Sequence, residues 1–477
     1  MRLNRLLPEV NSNIEITGIA YRHTSVKPGY MFVTWCGKSV DGHSYIHEAL
    51  KRGASFVICE KYLSPNIPHL KVHDARRKLA EVSRKFYGYP DRKLNVIGIT
   101  GTNGKTTTVL LLHHILKKAS IKSAFWTTVT YGDDDEHHEA QLTTPESLDL
   151  FTFMADELSK GVKFVVMEVS SHSLVLHRVY GVEFRATGFT YLGRDHLDFH
   201  STIENYMRAK ARLFMNLPRT AIAALNFDDP IGRFFSEITD ARIISYGYGL
   251  NRLPMIRGII RRIDLHGMEC EIDGHCFNTT LVGTHNLYNM LLAYSIAYAL
   301  SIPVPRIIEA FTDFPGVPGR WERIQNVIID YAHTPGSMAL VLSLARRLTT
   351  GKLIVVFGAG GDRDPGKRRP MGEIASRYAD FVIITNDNPR NEDPMQIAYE
   401  IEIGVSNTPH SIILDRRKAI EKAIDMAGEG DLVLVLGKGH ERYQIIGDRR
   451  IPFSDKEVVL EYLSRRHNVV PPSISAT

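Results

Sequence analysis

Short apolar runs, each bounded by turn-forming or charged residues, alternate along this chain with longer amphipathic stretches. Apolar runs of about four to eight residues are typical of strands buried in a sheet, whereas longer amphipathic stretches are typical of helices. The pattern predicts strands over residues 16–21, 30–34, 55–60, 94–100, 164–169, 186–192, 221–226, 353–357, 381–385 and 432–436. It predicts helices over residues 44–52, 106–119 and 203–215, with a further helix ending near 89–90. This alternation predicts the α/β class with mostly parallel sheets.

The chain divides into three sections, which we interpret as three domains. A length of 477 residues fits that number, since a domain usually holds about 100–200 residues. We predict a small α/β domain at 1–90, a central P-loop ATPase-like domain with a parallel sheet at 91–315, and a Rossmann-like domain at 316–477. The Pro- and Gly-rich stretch 314–319 is the predicted hinge between the last two. The tail after His467 is expected to be disordered.

The most informative segment is the glycine loop GTNGKTT, between the predicted strand 94–100 and the predicted helix 106–119. Glycines let backbone N–H groups approach phosphates, and the N-terminus of the following helix adds positive potential. Lys105 would reach the β- and γ-phosphates of a nucleoside triphosphate, and a threonine hydroxyl would bind Mg²⁺. The predicted nucleotide-binding residues of this loop are Gly101, Thr102, Asn103, Gly104, Lys105, Thr106 and Thr107.

The loop is a variant of the P-loop, because the strict pattern has glycine where this chain has Ile99. A glycine-rich turn before an ordinary helix is the alternative interpretation. The preceding strand and the Lys-Thr-Thr sequence favour phosphate binding.

Carboxylates and histidines follow two of the predicted central strands. Glu168 lies near the end of FVVMEV, and His196 belongs to the run RDHLDFH after the strand 186–192. A carboxylate at the carboxyl end of a strand beside the phosphate loop can face the γ-phosphate, and Mg²⁺ needs only one or two carboxylates. A solvated strand-end glutamate is the alternative for Glu168 taken alone. Lys210, on the predicted helix 203–215, is by pattern alone an exposed lysine.

Composition and charge narrow the function classes. Hydrophobic content of 44% and charged content of 23% are ordinary for a soluble globular chain. The net charge of +5, without a basic stripe interleaved with aromatic residues, does not indicate nucleic-acid binding. No apolar run is long enough to span a membrane, and the N-terminus lacks the apolar core of a signal peptide. We therefore expect a cytoplasmic protein, a monomer, that acts on small molecules.

The cysteines do not indicate a metal site, since the four of them show no CxxC spacing. Cys270 and Cys276 flank Asp273-Gly274, where a hairpin is predicted. We expect reduced thiols rather than a disulfide.

A series of short motifs resembles those of the Mur ligase family and, within it, the ligases that add diaminopimelate. Their order and spacing cover nearly the whole chain. The motifs are TGTNGKTT at 100–107, TTPES at 143–147, MEVSSH at 167–172, HRV at 177–179, RDHLDFH at 194–200, GTHNLYN at 283–289, GRWER at 319–323, DYAHTP at 330–335, GGDRD at 360–364, DNPR at 387–390 and GKGHE at 437–441.

The resemblance implies an ATP-dependent acid–amino-acid ligase of peptidoglycan synthesis. Such an enzyme joins meso-diaminopimelate to the D-glutamate carboxylate of UDP-MurNAc-L-Ala-D-Glu through an acyl phosphate, and releases ADP and phosphate. The resemblance assigns the donor substrate to the N-terminal domain, ATP to the central domain and the amino acid to the C-terminal domain. It also implies that Lys105, Glu168, His196 and Lys210 are catalytic. Mg²⁺ would be held by Thr106, Glu168, His196 and Lys210, the last as a carbamate.

Further site residues are implied by the same motifs. For the nucleotide they are Asn289, Arg320 and Asp330, and for the substrates they are Thr143, Thr144, Ser170, Arg178, Arg363, Asp387, Asn388, Pro389, Arg390, Gly437 and Glu441. The distal end of diaminopimelate carries a carboxylate and an ammonium, so its site needs both arginine and acidic side chains. An Asx-Pro turn is the alternative interpretation of DNPR.

The chain departs from the family pattern at four places: Arg22-His23-Thr24, Leu176, Tyr191 and Gly336. We place the first three on the side of the donor substrate. They leave open a second hypothesis, a paralogue that uses the same chemistry on a donor other than a UDP-muramyl peptide, outside peptidoglycan synthesis. A catalytically inactive relative and a folylpolyglutamate-synthase-like ligase are less favoured, because the catalytic residues and DNPR are present.

Overall fold

The computed structural model describes residues 1–37, 40–249 and 254–468. The disorder expected after His467 concerns residues that, from 469 on, lie outside the described part of the chain.

The N-terminal section forms a small parallel sheet in the order β1-β2-β3-β4, with helices packed against it. Its elements are α1 (Leu3–Leu6), β1 (Gly18–Ala20), β2 (Tyr30–Val33), α2 (Ile46–Lys51), β3 (Phe56–Cys59), β4 (His69–Lys71) and α3 (Ala75–Phe86).

The central section forms one extended sheet in the order β15-β14-β13-β12-β11-β10-β5-β9-β6-β7-β8. Its elements are β5 (Asn95–Thr100), α4 (Lys105–Lys118), β6 (Ser123–Trp126), β7 (Thr130–Gly132), β8 (His137–Glu139), α5 (Ser147–Ser159), β9 (Phe164–Glu168), α6 (Ser171–Val175), β10 (Phe184–Phe189), α7 (Leu197–His200), α8 (Ile203–Met215), β11 (Ile222–Asn226), α9 (Pro230–Glu237), β12 (Arg242–Tyr248), β13 (Ile256–Asp264), β14 (Gly267–Ile272), β15 (His275–Thr279), α10 (Thr284–Ala299) and α11 (Val304–Asp313). The strands from β6 to β13 in the middle of the sheet are parallel, and the hairpins at both edges are antiparallel.

The C-terminal section forms a third sheet in the order β16-β17-β21-β18-β19-β20, parallel except for β16, and a separate hairpin of β22 and β23. Its elements are β16 (Glu322–Ile324), β17 (Val327–Asp330), α12 (Pro335–Leu348), β18 (Leu353–Phe357), α13 (Arg368–Tyr378), β19 (Phe381–Ile384), α14 (Pro394–Glu402), β20 (His410–Ile412), α15 (Arg416–Met426), β21 (Leu432–Leu436), β22 (Tyr443–Ile446), β23 (Arg449–Pro452) and α16 (Asp455–Asn468).

Strand β5 illustrates why these sheets form. Ile97 and Ile99 belong to the core cluster on one face of the sheet, whereas Val96 belongs to the cluster on the other face. Both faces of a parallel sheet are covered, so its strands consist of nearly continuous apolar residues and are readily recognised in sequence. The predicted α/β class is confirmed, while the domain boundaries near 90 and 315 stay predictions.

Element ends differ modestly from the predictions. Helix α4 begins at Lys105, and β10 spans Phe184–Phe189 rather than 186–192. The hairpin around Asp273-Gly274 is present, and Cys270 and Cys276 are free thiols. None of the helices within the described residues has the length and apolar character that a membrane crossing requires.

Candidate active site

The glycine loop lies where β5 meets α4, between the carboxyl ends of β9 and β10. Gly101 has φ of 143° and Gly104 has φ of 87°, values that side chains disfavour. A Cβ atom on Gly104 would lie 2.2 Å from Asn289 Oδ1, and one on Gly101 would lie 1.7 Å from Thr190 Oγ1. The loop therefore needs both glycines, and it places free N–H groups at the start of a 14-residue helix, a site suited to phosphate.

Two lysines meet at the base of this loop. Lys105 Nζ donates to the carbonyl oxygens of Gly101 at 3.0 Å and Thr102 at 2.9 Å, and Lys210 Nζ donates to Gly101 O at 2.9 Å. Lys210 is only 1% exposed, so the exposed position suggested by its helix pattern is wrong. Burial, together with the charge of Lys105, holds the pKa of Lys210 well below its ordinary value. Burial also lowers the pKa of Lys105, against the opposing effects of Glu168 and Asp195.

Glu168 is buried at 1% exposure and accepts hydrogen bonds on both carboxylate oxygens. Thr106 Oγ1 donates to Oε1 at 2.7 Å, Thr128 N donates to Oε1 at 2.8 Å, and Thr128 Oγ1 donates to Oε2 at 3.1 Å. The strand end, the phosphate loop and the segment after β6 thus converge on one carboxylate. The alternative of a solvated strand-end glutamate is wrong.

His196 lies in the segment between β10 and α7, in a left-handed backbone conformation with φ of 54°. Its Nε2 is 3.5 Å from Asp195 Oδ2, and its ring packs edge-on against His172 with 4.8 Å between centroids. Burial lowers the pKa of His196, although Asp195 opposes this effect. A neutral imidazole beside a carboxylate can accept a proton or bind a metal ion.

These groups line a cavity of about 200 Å³ between the central and C-terminal sections. Predicted residues that line it are Thr102, Asn103, Gly104, Lys105, Thr106, Thr107, Thr143, Glu168, Ser170, His196, Asn289, Arg320 and Asp330. The cavity is also lined by residues that were not predicted, among them Thr128, His285, Asn286, Tyr331 and His333. His285, Asn286, Tyr331 and His333 belong to quoted motifs, which could have revealed them, whereas Thr128 has no sequence signal.

Backbone hydrogen bonds to Asp330 order the C-terminal wall of the cavity. Asp330 accepts the backbone N–H of Trp321 at 2.7 Å and of Ala332 at 2.8 Å, one on each oxygen. The Arg320 guanidinium lies 4.4 Å from the ring centroid of Tyr331. Asp330 therefore orders the segment that carries Arg320, in addition to lining the cavity.

The residues predicted to bind the donor substrate lie next to Glu168. Thr144 Oγ1 donates to Glu168 O at 2.8 Å and accepts from Ser170 N at 3.0 Å, while the Thr143 and Thr128 hydroxyl oxygens lie 3.1 Å apart. The Arg178 guanidinium donates to Thr144 O at 3.1 Å. The nearby Glu146 carboxylate accepts hydrogen bonds from the Arg178 and Arg76 guanidinium groups, each at 3.0 Å. Because Arg76 lies on helix α3, this carboxylate joins the N-terminal section to the site.

The departures from the family pattern are placed as follows. The His23 ring stacks on Tyr45 with 4.3 Å between centroids, while Arg22 and Thr24 are exposed. Leu176 is the C-cap residue that follows helix α6. A Cβ atom on Gly336 would meet nothing within 4 Å. Tyr191 was placed on the donor side, but its hydroxyl contacts Asn103 Nδ2 of the phosphate loop at 2.5 Å. The segment after β10 folds back over the loop, where Thr102 N donates to Tyr191 O at 2.9 Å. Tyr191 therefore also supports the phosphate loop, and its place on the donor side stays a prediction.

The predicted acceptor residues gather at the carboxyl ends of β19 and β21. Asn388, 3% exposed, donates to Glu441 Oε2 at 3.0 Å, and the buried Lys438 donates to Asn388 Oδ1 at 3.1 Å and to Glu441 Oε2 at 2.7 Å. A Cβ atom on Gly437 would lie 2.8 Å from Asp387 Oδ2, so the two loops touch.

The arginines of this group lie at its rim. Arg390 Nη1 donates to Gly361 O at 2.7 Å, and the carbonyl of Pro389 lies 1.9 Å from where a Gly361 Cβ would stand. Burial and the neighbouring Arg363 lower the pKa of Arg390. Arg363 is exposed beside it. Two guanidinium groups next to two carboxylates suit a zwitterionic amino acid.

The donor set beside the phosphate loop suits Mg²⁺ better than zinc. Among the described residues, no group of three or more histidine, cysteine or acidic side chains is placed to hold a metal ion. Thr106 and Glu168 offer hard oxygen atoms 2.7 Å apart, and His196 lines the same cavity. Mg²⁺ binds few protein oxygens and keeps several waters, so these residues fit it.

Three family models match the chain, and together they cover most of it. They are the Mur ligase family catalytic domain at residues 15–87, the Mur ligase middle domain at 99–297 and the Mur ligase glutamate ligase domain at 319–439.

Curated relatives match over nearly the full length. A UDP-N-acetylmuramoyl-L-alanyl-D-glutamate–2,6-diaminopimelate ligase from Aquifex aeolicus is 44% identical over 459 residues, 94% of each chain. The enzyme of the same name from Geobacillus kaustophilus is 41% identical over 471 residues, 95% of this chain and 96% of its own.

Solved structures agree on the fold. A structure of a ligase of that name has a TM-score of 0.70 at 29% identity and covers 98% of this chain and 99% of its own. MurF ligase from Thermotoga maritima in complex with ADP has a TM-score of 0.64 at 21% identity and covers 95% of this chain and 98% of its own, which bears on the fold alone.

Proposed function

The chain belongs to the Mur ligase family, and from this premise we propose that it is the ligase that joins meso-diaminopimelate to UDP-MurNAc-L-Ala-D-Glu. The observation that carries the proposal is the identity of 44% and 41% to diaminopimelate ligases over nearly the whole chain. Two features of the structure support it: a glycine loop at the start of helix α4 suited to phosphate, and a separate group of arginines and carboxylates at the ends of β19 and β21 suited to a zwitterionic amine.

The reaction proceeds in two steps. The D-glutamate side-chain carboxylate of the donor attacks the γ-phosphorus of ATP, which breaks the bond to the β-phosphate oxygen and gives an acyl phosphate and ADP. The neutral amine of the acceptor then attacks the acyl carbon, phosphate leaves, and the amine loses a proton as the amide forms. Phosphoryl transfer requires positioning and charge neutralisation rather than a protein nucleophile.

The phosphate loop and Lys105 bind the β- and γ-phosphates in this proposal. Arg320, from the C-terminal section, adds a second positive charge to the same cavity. Asn289 and Asp330, which line the same cavity as Tyr331, would hold the nucleoside end. Because the site draws on two sections of the chain, nucleotide binding is coupled to their approach.

Thr106, Glu168 and His196 would hold Mg²⁺, which when bound neutralises charge on the phosphate oxygens. Lys210 would carry a carbamate that presents anionic oxygens to the same region. Its depressed pKa supports this, because only a neutral amine adds to carbon dioxide. A carbamate would also relieve the repulsion between Lys105 and Lys210.

The acceptor occupies the group of Asp387, Asn388, Arg390, Arg363 and Glu441. The arginines take the distal carboxylate and the acidic side chains take the distal ammonium. Thr143, Thr144, Ser170 and Arg178 hold the donor near Glu168. The enzyme would act as a monomer in the cytoplasm, where both substrates are small and water-soluble.

A purified-enzyme assay tests the proposal. Phosphate release with ATP should require both UDP-MurNAc-L-Ala-D-Glu and meso-diaminopimelate, should yield the tripeptide product, and should fall about 100-fold or more in Lys105→Ala. Lys117→Ala is the matched control, because Lys117 lies on the same helix and its side chain is exposed.

The second hypothesis, a different donor, is favoured by the departures Arg22-His23-Thr24, Leu176 and Tyr191. Of these, Tyr191 also contacts the phosphate loop, so a change there bears on the nucleotide as well. Turnover of meso-diaminopimelate with no tripeptide from the UDP-muramyl donor would support the paralogue and reject the proposed donor.

A further inference from the structure

Arg416, the first residue of α15, forms a fully buried ion pair with Asp455, the first residue of α16. Its Nε and Nη2 each donate to one carboxylate oxygen at 2.7 Å, and both side chains are 0% exposed. Replacing a buried ion pair with apolar side chains is often neutral or stabilising, so such a pair has little value for stability alone. A second role would account for it.

Two of the three remaining N–H groups of the same guanidinium bind backbone carbonyls. Nη1 donates to Asn386 O at 3.2 Å, and Nη2 also donates to Leu436 O at 3.0 Å. Asn386 immediately precedes Asp387 and Asn388, and Leu436 immediately precedes Gly437. The guanidinium thus binds the last residue before each of the two acceptor loops.

These two loops leave strands that do not pair with each other. In the sheet, β18 lies between β21 and β19 and pairs with both, so no ladder hydrogen bond joins the carboxyl ends of β19 and β21 directly. Arg416 bridges them across the end of β18. Burial acts to lower the pKa of Arg416, but the carboxylates of Asp455, Asp387 and Glu441 outweigh it and raise the pKa. The charge of Arg416 therefore lies close to the acidic side chains of both acceptor loops.

We propose that Arg416, held by Asp455, is a positioning residue that fixes the spacing of the loops at 387–390 and 437–441 for the amino-acid acceptor. The proposal rests on the assignment of this pocket to the acceptor. Arg416 does not touch the substrate itself, because it lies fully buried behind both loops. Loss of its carbonyl contacts would let the two loops separate and would weaken acceptor binding without altering the nucleotide site.

Two variants test the proposal with the full-length enzyme. Arg416→Lys keeps the charge but has one donor group in place of a fork, and Arg416→Met combined with Asp455→Leu removes both charges together, so that neither is left buried and unpaired. Arg417→Gln is the matched control, since Arg417 is the next residue and makes an exposed pair with Glu461 at 2.7 Å.

The expected result is a rise of at least tenfold in the KM for meso-diaminopimelate in both variants, with the KM for ATP within twofold of the wild-type value and Arg417→Gln unchanged. A merely structural defect would lower the active fraction, and hence kcat, without moving the acceptor KM. Unchanged acceptor KM in the variants would overturn the proposal.

Amide hydrogen exchange provides a second test, which does not depend on turnover. Segments 386–391 and 437–442 should exchange faster in the variants, while segment 100–107 should not. If the wild-type enzyme fails to ligate meso-diaminopimelate, the proposed function fails, and the exchange result alone decides the positioning role. Exchange in both acceptor segments that matches the wild type would reject it.

Discussion

Tyr191 Oη lies 2.5 Å from Asn103 Nδ2, so the segment after β10 is joined by a side-chain hydrogen bond to the phosphate loop. The backbone reinforces this link, because Thr102 N donates to Tyr191 O and Gly193 N donates to Thr102 Oγ1. The loop is thereby ordered before any nucleotide binds. Order of this kind reduces the entropy that binding must remove.

Tyr191→Phe should weaken nucleotide binding while leaving the fold intact. The change removes one hydroxyl, and a hydrogen bond of this kind contributes about 0.5–1.5 kcal/mol, which corresponds to about a 2- to 12-fold rise in the KM for ATP. Steady-state kinetics measure it, with ATP and then the donor varied while the other two substrates are saturating. Tyr298→Phe is the control, since Tyr298 is 45% exposed on α10. A rise confined to the KM for the donor would contradict this prediction and would indicate that Tyr191 acts on the donor.

The sequence predicted the residues whose chemistry follows from strand and loop order. Lys105 and Glu168 belong to this class, because a glycine loop and a strand-end carboxylate in one parallel sheet must lie at the same edge. Thr128 could not be predicted, since it reaches Glu168 only through the turn after β6. The Arg416–Asp455 ion pair could not be predicted either, because its two residues are 39 positions apart in the sequence. Each residue alone is typical of a charged residue at the start of a helix.

The enzyme should require carbon dioxide for full activity, because Lys210 would have to be carbamylated. Its amine is buried and its pKa lies well below the ordinary value, so a neutral amine is present to form the carbamate. Activity should fall in buffer depleted of carbon dioxide and recover on addition of bicarbonate. Lys210→Ala should lose about 100-fold or more in kcat and show no recovery. Equal wild-type activity with and without carbon dioxide would contradict carbamylation.

Arg390→Lys should lower the preference for meso-diaminopimelate over L-lysine, which lacks the distal carboxylate. A forked guanidinium binds a carboxylate in a way that an ammonium cannot reproduce, and hydrogen bonds to charged groups contribute about 1.5–3 kcal/mol. We expect the KM for meso-diaminopimelate to rise about 10- to 150-fold, with little change for L-lysine. Arg369→Lys, at an exposed position paired with Glu373, is the control. An equal rise for both amino acids would mean that Arg390 does not read the distal carboxylate.

His113 should make the central section sensitive to acid. The side chain is 8% exposed, Nδ1 lies 2.9 Å from Ser123 Oγ, and burial lowers its pKa to about 4. The unfolded chain has a histidine pKa of about 6.5, so below that pH the unfolded state binds a proton that the folded state excludes. The contribution of His113 is therefore fully present above pH 6.5 and is lost as the pH falls toward 4. Between pH 6.5 and 5 the loss should be about 2 kcal/mol.

A comparison of unfolding at pH 7 and pH 5 isolates this contribution. Other histidines, such as the half-buried His172 and the buried His200, also have a pKa lowered to about 4 by burial, so the wild type should lose stability for several reasons. In His113→Gln the loss between the two pH values should be smaller by about 2 kcal/mol, because glutamine does not titrate. His47→Gln, at an exposed position on α2, should lose as much as the wild type. If His113→Gln lost as much as well, the histidine would already be charged in the folded protein, and Asp134, whose Oδ1 lies 3.4 Å from His113 Nε2, would be its partner.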